Sequence, residues 1–351
     1  MNRSRDYEIA KRIAKDLNLK GYRDPIKAIR EFCIQKVRKL VEGFDEVDNL
    51  DKLLEIVSSS LGIRFEMINE DEDISSLQDS YIREGELAFA KLEAEFSDTS
   101  TDALLIQLNN NKSWKYAAVI DCRGPKKYKA YFSKWHEVAH VLTEPRQAVL
   151  FHRSRAERKD PEEILVDRVA SDFAFYQPLF LPELLARTKG ANRLTFEVIE
   201  DVRAVVCAGA SREATIRAAV ARAPFPQFMI IADYGLKKKE QRTAEVFIEM
   251  GLYSENETPF ERKLRAIQVA GNDLAKKLNL QIHRNMEVPD KSVISTVYNH
   301  ESLDGESLVG QENLDWWKHS SGDHLRSASV TVEARKIGRR VFALITPNKY
   351  K

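Results

Sequence analysis

The feature that most constrains this chain is the run His136-Glu137-Val138-Ala139-His140. Two histidines four residues apart present their rings to a common point only if the backbone between them is helical, because residues i and i+4 of an α-helix lie one above the other. The flanking apolar residues Tyr131, Phe132, Trp135, Val138, Ala139, Val141 and Leu142 recur with helical periodicity. On such a helix His136 and His140 offer ring nitrogens to one Zn²⁺. Glu137 then lies beside a water that the metal makes acidic, placed to carry its proton towards a leaving amine. With seven histidines, a chance match to this pattern arises in roughly one chain of this length in a hundred. The spacing therefore predicts a zinc site with His136 and His140 as ligands and Glu137 as general base.

A catalytic zinc takes a third protein ligand and keeps one position open. The next helical pattern, from about Pro161 to Tyr176, places Glu163, Asp167 and Ser171 on one face and Val166, Val169, Ala170, Phe173 and Ala174 on the packing side. Pro161 suits a first helical turn. Glu144 lies just before Pro145, where the first helix should end, and His152 sits in an arginine-rich loop. Glu163 and Asp167 are thus the leading candidates.

The rest of the chain supplies the setting. Its 351 residues exceed one average domain. A net charge of +1 argues against a nucleic-acid binder that uses its whole surface, while allowing a local basic patch. No apolar run is long enough to span a bilayer, and the first residues carry no apolar signal core, so a cytoplasmic protein is expected. Cys33, Cys122 and Cys207 are too few and too scattered for a disulfide framework. Cys33 and Cys207 fall in helical patterns and are read as small buried apolar residues.

The first sixty residues read as three helices, closed by Gly62, and Ile63 to Met67 alternates like a strand. The acidic run Asn69 to Asp73 is expected to be a solvated loop. Ala103 to Leu108 and Tyr116 to Ile120 are predicted strands of a hairpin or meander. Further helices are expected from Thr195 to Cys207 and Ser211 to Ala221, and a strand from Gln227 to Asp233. Lys237-Lys238-Lys239 with Arg242 is read as a surface loop or linker. One helix follows (Arg262 to Leu278), then strands at Ser327 to Arg335 and Arg339 to Thr346. The fold class is α+β: a helical, zincin-like metallopeptidase domain with a small antiparallel sheet over residues 1–240, and a separate α+β, sensor-like domain over 255–351.

The run from His136 to about Ala174 resembles the ImmA/IrrE family of metallopeptidases, in which an H-E-x-x-H helix is followed by a helix with E-x-x-A-(N/D)-x-F-A. Here the second motif stands as Asp167-Arg168-Val169-Ala170-Ser171-Asp172-Phe173-Ala174. The resemblance maps the family's third ligand, a Glu, onto Asp167. Asp is one methylene shorter, so Asp167 either binds with a small helix shift or yields to Glu163 one turn earlier. The matching motifs cover some forty residues, and the Ser211 to Arg217 region fits more loosely. The resemblance implies a narrow substrate, a helix-turn-helix repressor cut once to induce a stress, mobile-element or antiphage response. An extended substrate is expected to pair with an edge at Tyr116 to Asp121.

Cys122 opens Cys122-Arg123-Gly124-Pro125, fourteen residues before His136. Thiolate is a preferred zinc ligand and Arg123 would favour its deprotonation, so Cys122 is a candidate inhibitory ligand for the open position. The alternative is a buried cysteine at a strand end. The last thirty-six residues hold eight Lys/Arg against two Asp/Glu. Arg326, Arg335, Lys336, Arg339 and Arg340 lie around the predicted C-terminal hairpin, just after Trp316 and Trp317. Together they are candidate contacts for single-stranded DNA, through stacking and phosphate neutralisation; a charged edge that resists aggregation explains the same residues. A cysteine ahead of the zinc helix and a basic C-terminal domain are similar to the CapP-type peptidases of antiphage (CBASS) operons. Two other functions fit the sequence: a nucleic-acid-responsive regulator using the peptidase fold as scaffold, and a general cytoplasmic zinc peptidase. Tyr128, Tyr131 and His152 are equal candidates for stabilising the oxyanion.

Overall fold

The computed structural model describes residues 3–44, 47–98, 100–110, 113–143, 151–152, 160–252, 259–278, 282–300, 305–319 and 321–348. These form thirteen α-helices and nine strands, the strands falling into two small sheets. Among them no helix is long and apolar enough to cross a membrane. The chain divides into two units: residues 1–180 with 203–211, and residues 181–202 with 212–351.

The first unit begins with α1 (Arg3–Asp16), α2 (Pro25–Val41) and α3 (Leu50–Leu61). Their apolar faces are those the periodicity marks: Ile13 and Leu17, then Ile29, Cys33 and Val37, then Leu50, Leu53, Leu54 and Val57 are buried. Asp24 starts α2, its side chain accepting from the amides of Ile26 and Lys27 at 3.0 and 3.2 Å. Gly62 ends α3 at φ +74°, the left-handed conformation that glycine adopts without steric cost. Its carbonyl accepts from the amides of Lys115 and Tyr116 at 2.8 and 3.0 Å. That contact aligns β1 (Ile63–Ile68) with β3 (Tyr116–Asp121) in parallel, Ile63 opposite Tyr116.

β2 (Ala103–Gln107) pairs antiparallel with β3, as the hairpin pattern predicts, and the sheet order is β1-β3-β2-β4, with β4 at Phe151–His152. β3 is therefore an inner strand. The expectation that Tyr116 to Asp121 offers an edge to substrate is corrected: β1 and β2 already occupy both of its sides. One face of the sheet carries Leu104, Ile106, Ala117 and Val119 into a core with Ile74, Tyr81, Phe89, Leu92 and Phe96. Of these, Ile74 and Tyr81 belong to α4 (Asp71–Arg83), and Leu92 and Phe96 to α5 (Leu92–Ser97). The other face, with buried Leu105, Ala118 and Ile120, lies on the side of α6 (Ala130–Thr143). α7 (Pro161–Ala174) packs against α6, α1 and α2. The acidic run Asn69 to Asp73 is not a loop throughout: Glu70 caps α4 and Asp71 to Asp73 form its first turn, where the Asp73 carboxylate accepts from the amides of Asn69 and Glu70 at 2.8 and 3.1 Å.

The chain passes between the units within α8 (Gln177–Arg187), within α9 (Phe196–Val206) and just before α10 (Arg212–Arg222). The second unit is built on β5 (Phe228–Gly235), β6 (Lys263–Gly271), β7 (Ser307–Asn313), β8 (Ser329–Ile337) and β9 (Arg340–Pro347). They run in the order β6-β5-β9-β8-β7, antiparallel throughout. One face buries Ile230, Ala232, Val330, Val332, Ala334, Val341, Ala343 and Ile345 with Ile294 and Val297 of α13 (Val293–Asn299) and with Leu314 and Trp317. Gly310 of β7 allows the close approach of α13, since a Cβ there would collide with the Val293 side chain.

Three sequence expectations change here. The expected boundary between residues 240 and 255 falls inside the second unit, because β5 is bonded on both sides to strands from beyond residue 255. Arg262 to Leu278 is not one helix but strand β6 followed by the short α12 (Asp273–Lys277). Lys237 to Lys239 is not a linker: it opens α11 (Lys238–Glu249), where Glu240 folds back to accept from the Lys237 amide at 2.8 Å.

Candidate metal centre

α6 is buried along almost its whole length, and its last residue, Thr143, donates its hydroxyl back to the Ala139 carbonyl at 2.8 Å. Two contacts set the rotation of α7 against it. The rings of Trp135 and Phe173 stack at 5.7 Å, and the Tyr131 hydroxyl donates to the Ala174 carbonyl at 2.8 Å. The N-terminal helices hold the other side of α7. Arg12 of α1 pairs with Glu162, and Arg30 of α2 grips Asp172 through two parallel hydrogen bonds of 2.6 and 2.7 Å. Pro161 is the first residue of α7, and Asp160 caps it by accepting from the Glu162 amide at 3.1 Å.

This clamping turns Glu163 and Asp167 towards α6. The Nε2 atoms of His136 and His140 are 3.1 Å apart. Glu163 spans them, with Oε2 3.1 Å from His136 Nε2 and Oε1 3.4 Å from His140 Nε2. Four ligands at tetrahedral angles, each 2.0–2.1 Å from Zn²⁺, would be separated by about 3.3 Å. The two nitrogens and the carboxylate are close to that spacing. His136, His140 and Glu163 could hold a metal ion together. The histidines are at most 1% exposed, as is Glu137, while the side chain of Glu163 is 25% exposed, so solvent reaches the cluster from the α7 side. Burial disfavours the Glu163 carboxylate, but hydrogen bonds from His136 and His140 outweigh that, and the group is held well below the usual carboxylate range.

The preferred third ligand from sequence, Asp167, is corrected. Its Oδ1 lies 3.1 Å from the far ring nitrogen of His136, Nδ1, and it is not among the grouped donors. Glu163, the alternative one turn earlier, is the carboxylate grouped with the two histidines.

Cys122 is not brought into the metal group either. It closes the β3 segment, its amide donating to the Ile68 carbonyl at 2.7 Å. Burial raises its thiol pKa, with Lys134 opposing only in part. Arg123 does not activate it. That guanidinium is bound to Asp121 at 2.9 and 2.8 Å, to the Phe96 carbonyl at 3.0 Å and to Asp71. Among the oxyanion candidates, Tyr131 spends its hydroxyl on Ala174 and Tyr128 is exposed. The side chain of His152, and Glu144, lie outside the described residues.

The C-terminal basic residues and the two tryptophans differ in exposure and in their partners. Trp317 is core, which removes it as a stacking platform. Trp316 is half-buried, with the Lys291 ammonium 4.1 Å above its ring. Arg335 lies 5.1 Å over the Phe196 ring and donates to Ser307, and Lys336 donates to the Tyr298 carbonyl. Arg340 and Arg339 both approach Asp233, at 3.3 and 3.9 Å. Arg326 is exposed.

Sequence reasoning missed Arg12 and Arg30, which fix α7 from 150 and 142 residues away. Their local traces are their acidic partners on α7, Glu162 and Asp172. No protein-family model matches the chain, and no curated protein matches it.

Proposed function

We propose that this protein is a zinc-dependent endopeptidase with a zincin-like catalytic unit, acting in the cytoplasm on a helix-turn-helix repressor that it cuts at a single site to induce a stress or antiphage response. The catalytic half rests on one observation: His136, His140 and Glu163 converge at tetrahedral spacing on a helix pair that also buries Glu137. Zn²⁺ bound there would polarise a peptide carbonyl and lower the pKa of a water into the neutral range. Glu137 would take the proton of the attacking water and deliver it to the departing amine. Both histidines are buried, and the partly exposed α7 carboxylates mark the side of the cluster open to solvent. The repressor as substrate rests on the resemblance of His136 to Ala174 to the ImmA/IrrE peptidases. A DNA-responsive second unit gains little support, because Trp317 is core and most of the basic hairpin is engaged internally.

The test is Glu137→Gln beside the wild type, each loaded with zinc and incubated with the helix-turn-helix protein encoded next to the gene. The wild type should cut it once; the variant should keep its zinc and leave the repressor intact. Chelation should abolish cleavage and added Zn²⁺ restore it. Digestion of unfolded casein with the repressor untouched would instead identify a general peptidase. Zinc binding without hydrolysis of either would leave the scaffold reading.

A further inference from the structure

β8 turns Val332 and Ala334 into the core beneath α13, so strand alternation sends Glu333 and Arg335 to the opposite face. There Phe196, the first residue of α9, is buried and gives its amide to Glu333 Oε1 at 3.2 Å. Arg335 lies 5.1 Å over the Phe196 ring, and its Nε donates to Ser307 Oγ at 2.9 Å. Those two contacts fix the plane of the guanidinium. Among the described residues neither of its Nη atoms has a hydrogen-bond partner, and no carboxylate pairs with it. An oriented, half-buried guanidinium of this kind is desolvated without compensation, a condition that an anionic ligand relieves.

Arg335 and Phe196 line a pocket of about 270 Å³ together with Glu200, Arg212, Gly305 and Gly338. Arg212 comes from the start of α10, with its Nε 3.0 Å from Glu200. Gly305 and Gly338 take φ of +81° and +61°, and nothing lies within 4 Å of where either Cβ would stand, so both turns present bare backbone. Lys336 also lines the pocket, but its ammonium is turned to the Tyr298 carbonyl, which leaves two guanidinium groups against one carboxylate. We propose that this pocket is a binding site for a phosphate monoester, its phosphoryl oxygens held by Arg335 and Arg212. Two planar forks on separate elements suit the three oxygens of a phosphoryl group, whereas a carboxylate is satisfied by one fork. The volume lies near the lower end of small-ligand sites, about 300–1,000 Å³, and is too small for a run of nucleotides. The site does not depend on the zinc-site reading.

The experiment is calorimetric titration of the full chain at pH 8 with inorganic phosphate, with ribose 5-phosphate and with a single-stranded oligonucleotide. It is run on wild type, Arg335→Ala, Arg335→Lys, Arg212→Ala and Glu163→Ala. The wild type should bind one equivalent of ribose 5-phosphate, more tightly than inorganic phosphate. Arg335→Ala and Arg212→Ala should each weaken the monoester roughly 10- to 100-fold. Arg335→Lys should recover only part of the loss, because an ammonium lacks the fork. Glu163→Ala should bind the monoester as the wild type does. Failure of ribose 5-phosphate to bind, whatever inorganic phosphate does, would overturn the proposal, and so would unchanged affinity in either arginine-to-alanine variant. Loss of binding in Glu163→Ala would place the phosphate on the metal centre and reject the pocket. Affinity that rises from monoester to oligonucleotide would reject it too, in favour of a nucleic-acid surface. Should Arg335→Ala fold poorly, Arg212→Ala decides alone, since that side chain is 58% exposed and its loss leaves the core intact.

Discussion

A cysteine acts as a metal latch only if its sulfur reaches the site, and Cys122 is not grouped with His136, His140 and Glu163 in this structure. It is buried, its thiol is pushed up by desolvation, and the neighbouring arginine is committed to Asp121. Cys122→Ala should therefore leave zinc content and basal cleavage unchanged, and alkylation of the native thiol at pH 8 should be slow beside that of the unfolded chain. A rise in basal cleavage would restore the latch. Asp121 is the more consequential neighbour. Burial opposes its ionisation, but hydrogen bonds from Arg123 and Lys126 overcome that and lower its pKa. A carboxyl depressed in the folded state contributes stability that is complete above its unfolded value of about 4 and is lost as pH falls through the folded value. Asp121→Asn should thus be less stable at pH 7 and lose less on acidification. Urea midpoints measured at pH 7, 5 and 3 would show the two curves converging; parallel curves would contradict the assignment.

At the scale of elements, the site depends on how α7 is held, and that depends on residues remote in sequence. Arg30 and Asp172 are 142 positions apart, yet their paired bonds set the helix that carries Glu163 and Asp167. Arg30→Ala should cost about 1 kcal/mol, since the arginine is partly exposed, and should also weaken zinc binding; calorimetry and chelator competition would separate the two effects. Such pairing leaves no periodic mark, which is why the reading from sequence reached the faces of α7 but not its clamp. What periodicity and turn chemistry could carry was legible: the apolar face of α2, α3 with its glycine stop, the β2–β3 and β8–β9 hairpins, and the pair His136 and His140. Arg262 to Leu278 misled for a specific reason. Leu264, Ile267, Ala270 and Leu274 recur at three to four residues, so a strand and a short helix in succession imitate a single helical face. The choice between Glu163 and Asp167 was equally beyond periodicity, since both share a face and only the distance between helices decides it. Elsewhere a single atom is decisive: Gly310→Ala would drive a methyl into Val293 and lift α13, costing roughly 1–3 kcal/mol, which a thermal melt would register.

For the whole molecule, charge texture was a poor guide to the division between units. The lysine run at 237–239 looks like a linker because linkers are polar, but the physical boundary follows hydrogen bonding. β5 lies ahead of that run and pairs with β6 and β9, both of which come after it. A chain ending at residue 240 would therefore keep β5 without either partner. Its buried Met229, Ile230 and Ile231 would lose their cover, and both rows of backbone amides and carbonyls would stand open. Such an end invites pairing with other copies. The fragment 1–240 should elute from gel filtration as aggregates or higher oligomers and scatter light on warming, even though every proposed zinc ligand is retained in it. Extension to residue 271 would restore β6 on one side of β5, but the other side stays open until residue 347 restores β9, the strand that joins β5 to β8. A monodisperse, zinc-binding 1–240 fragment would show that β5 is dispensable to the first unit's solubility and that the division at 240 had physical standing after all.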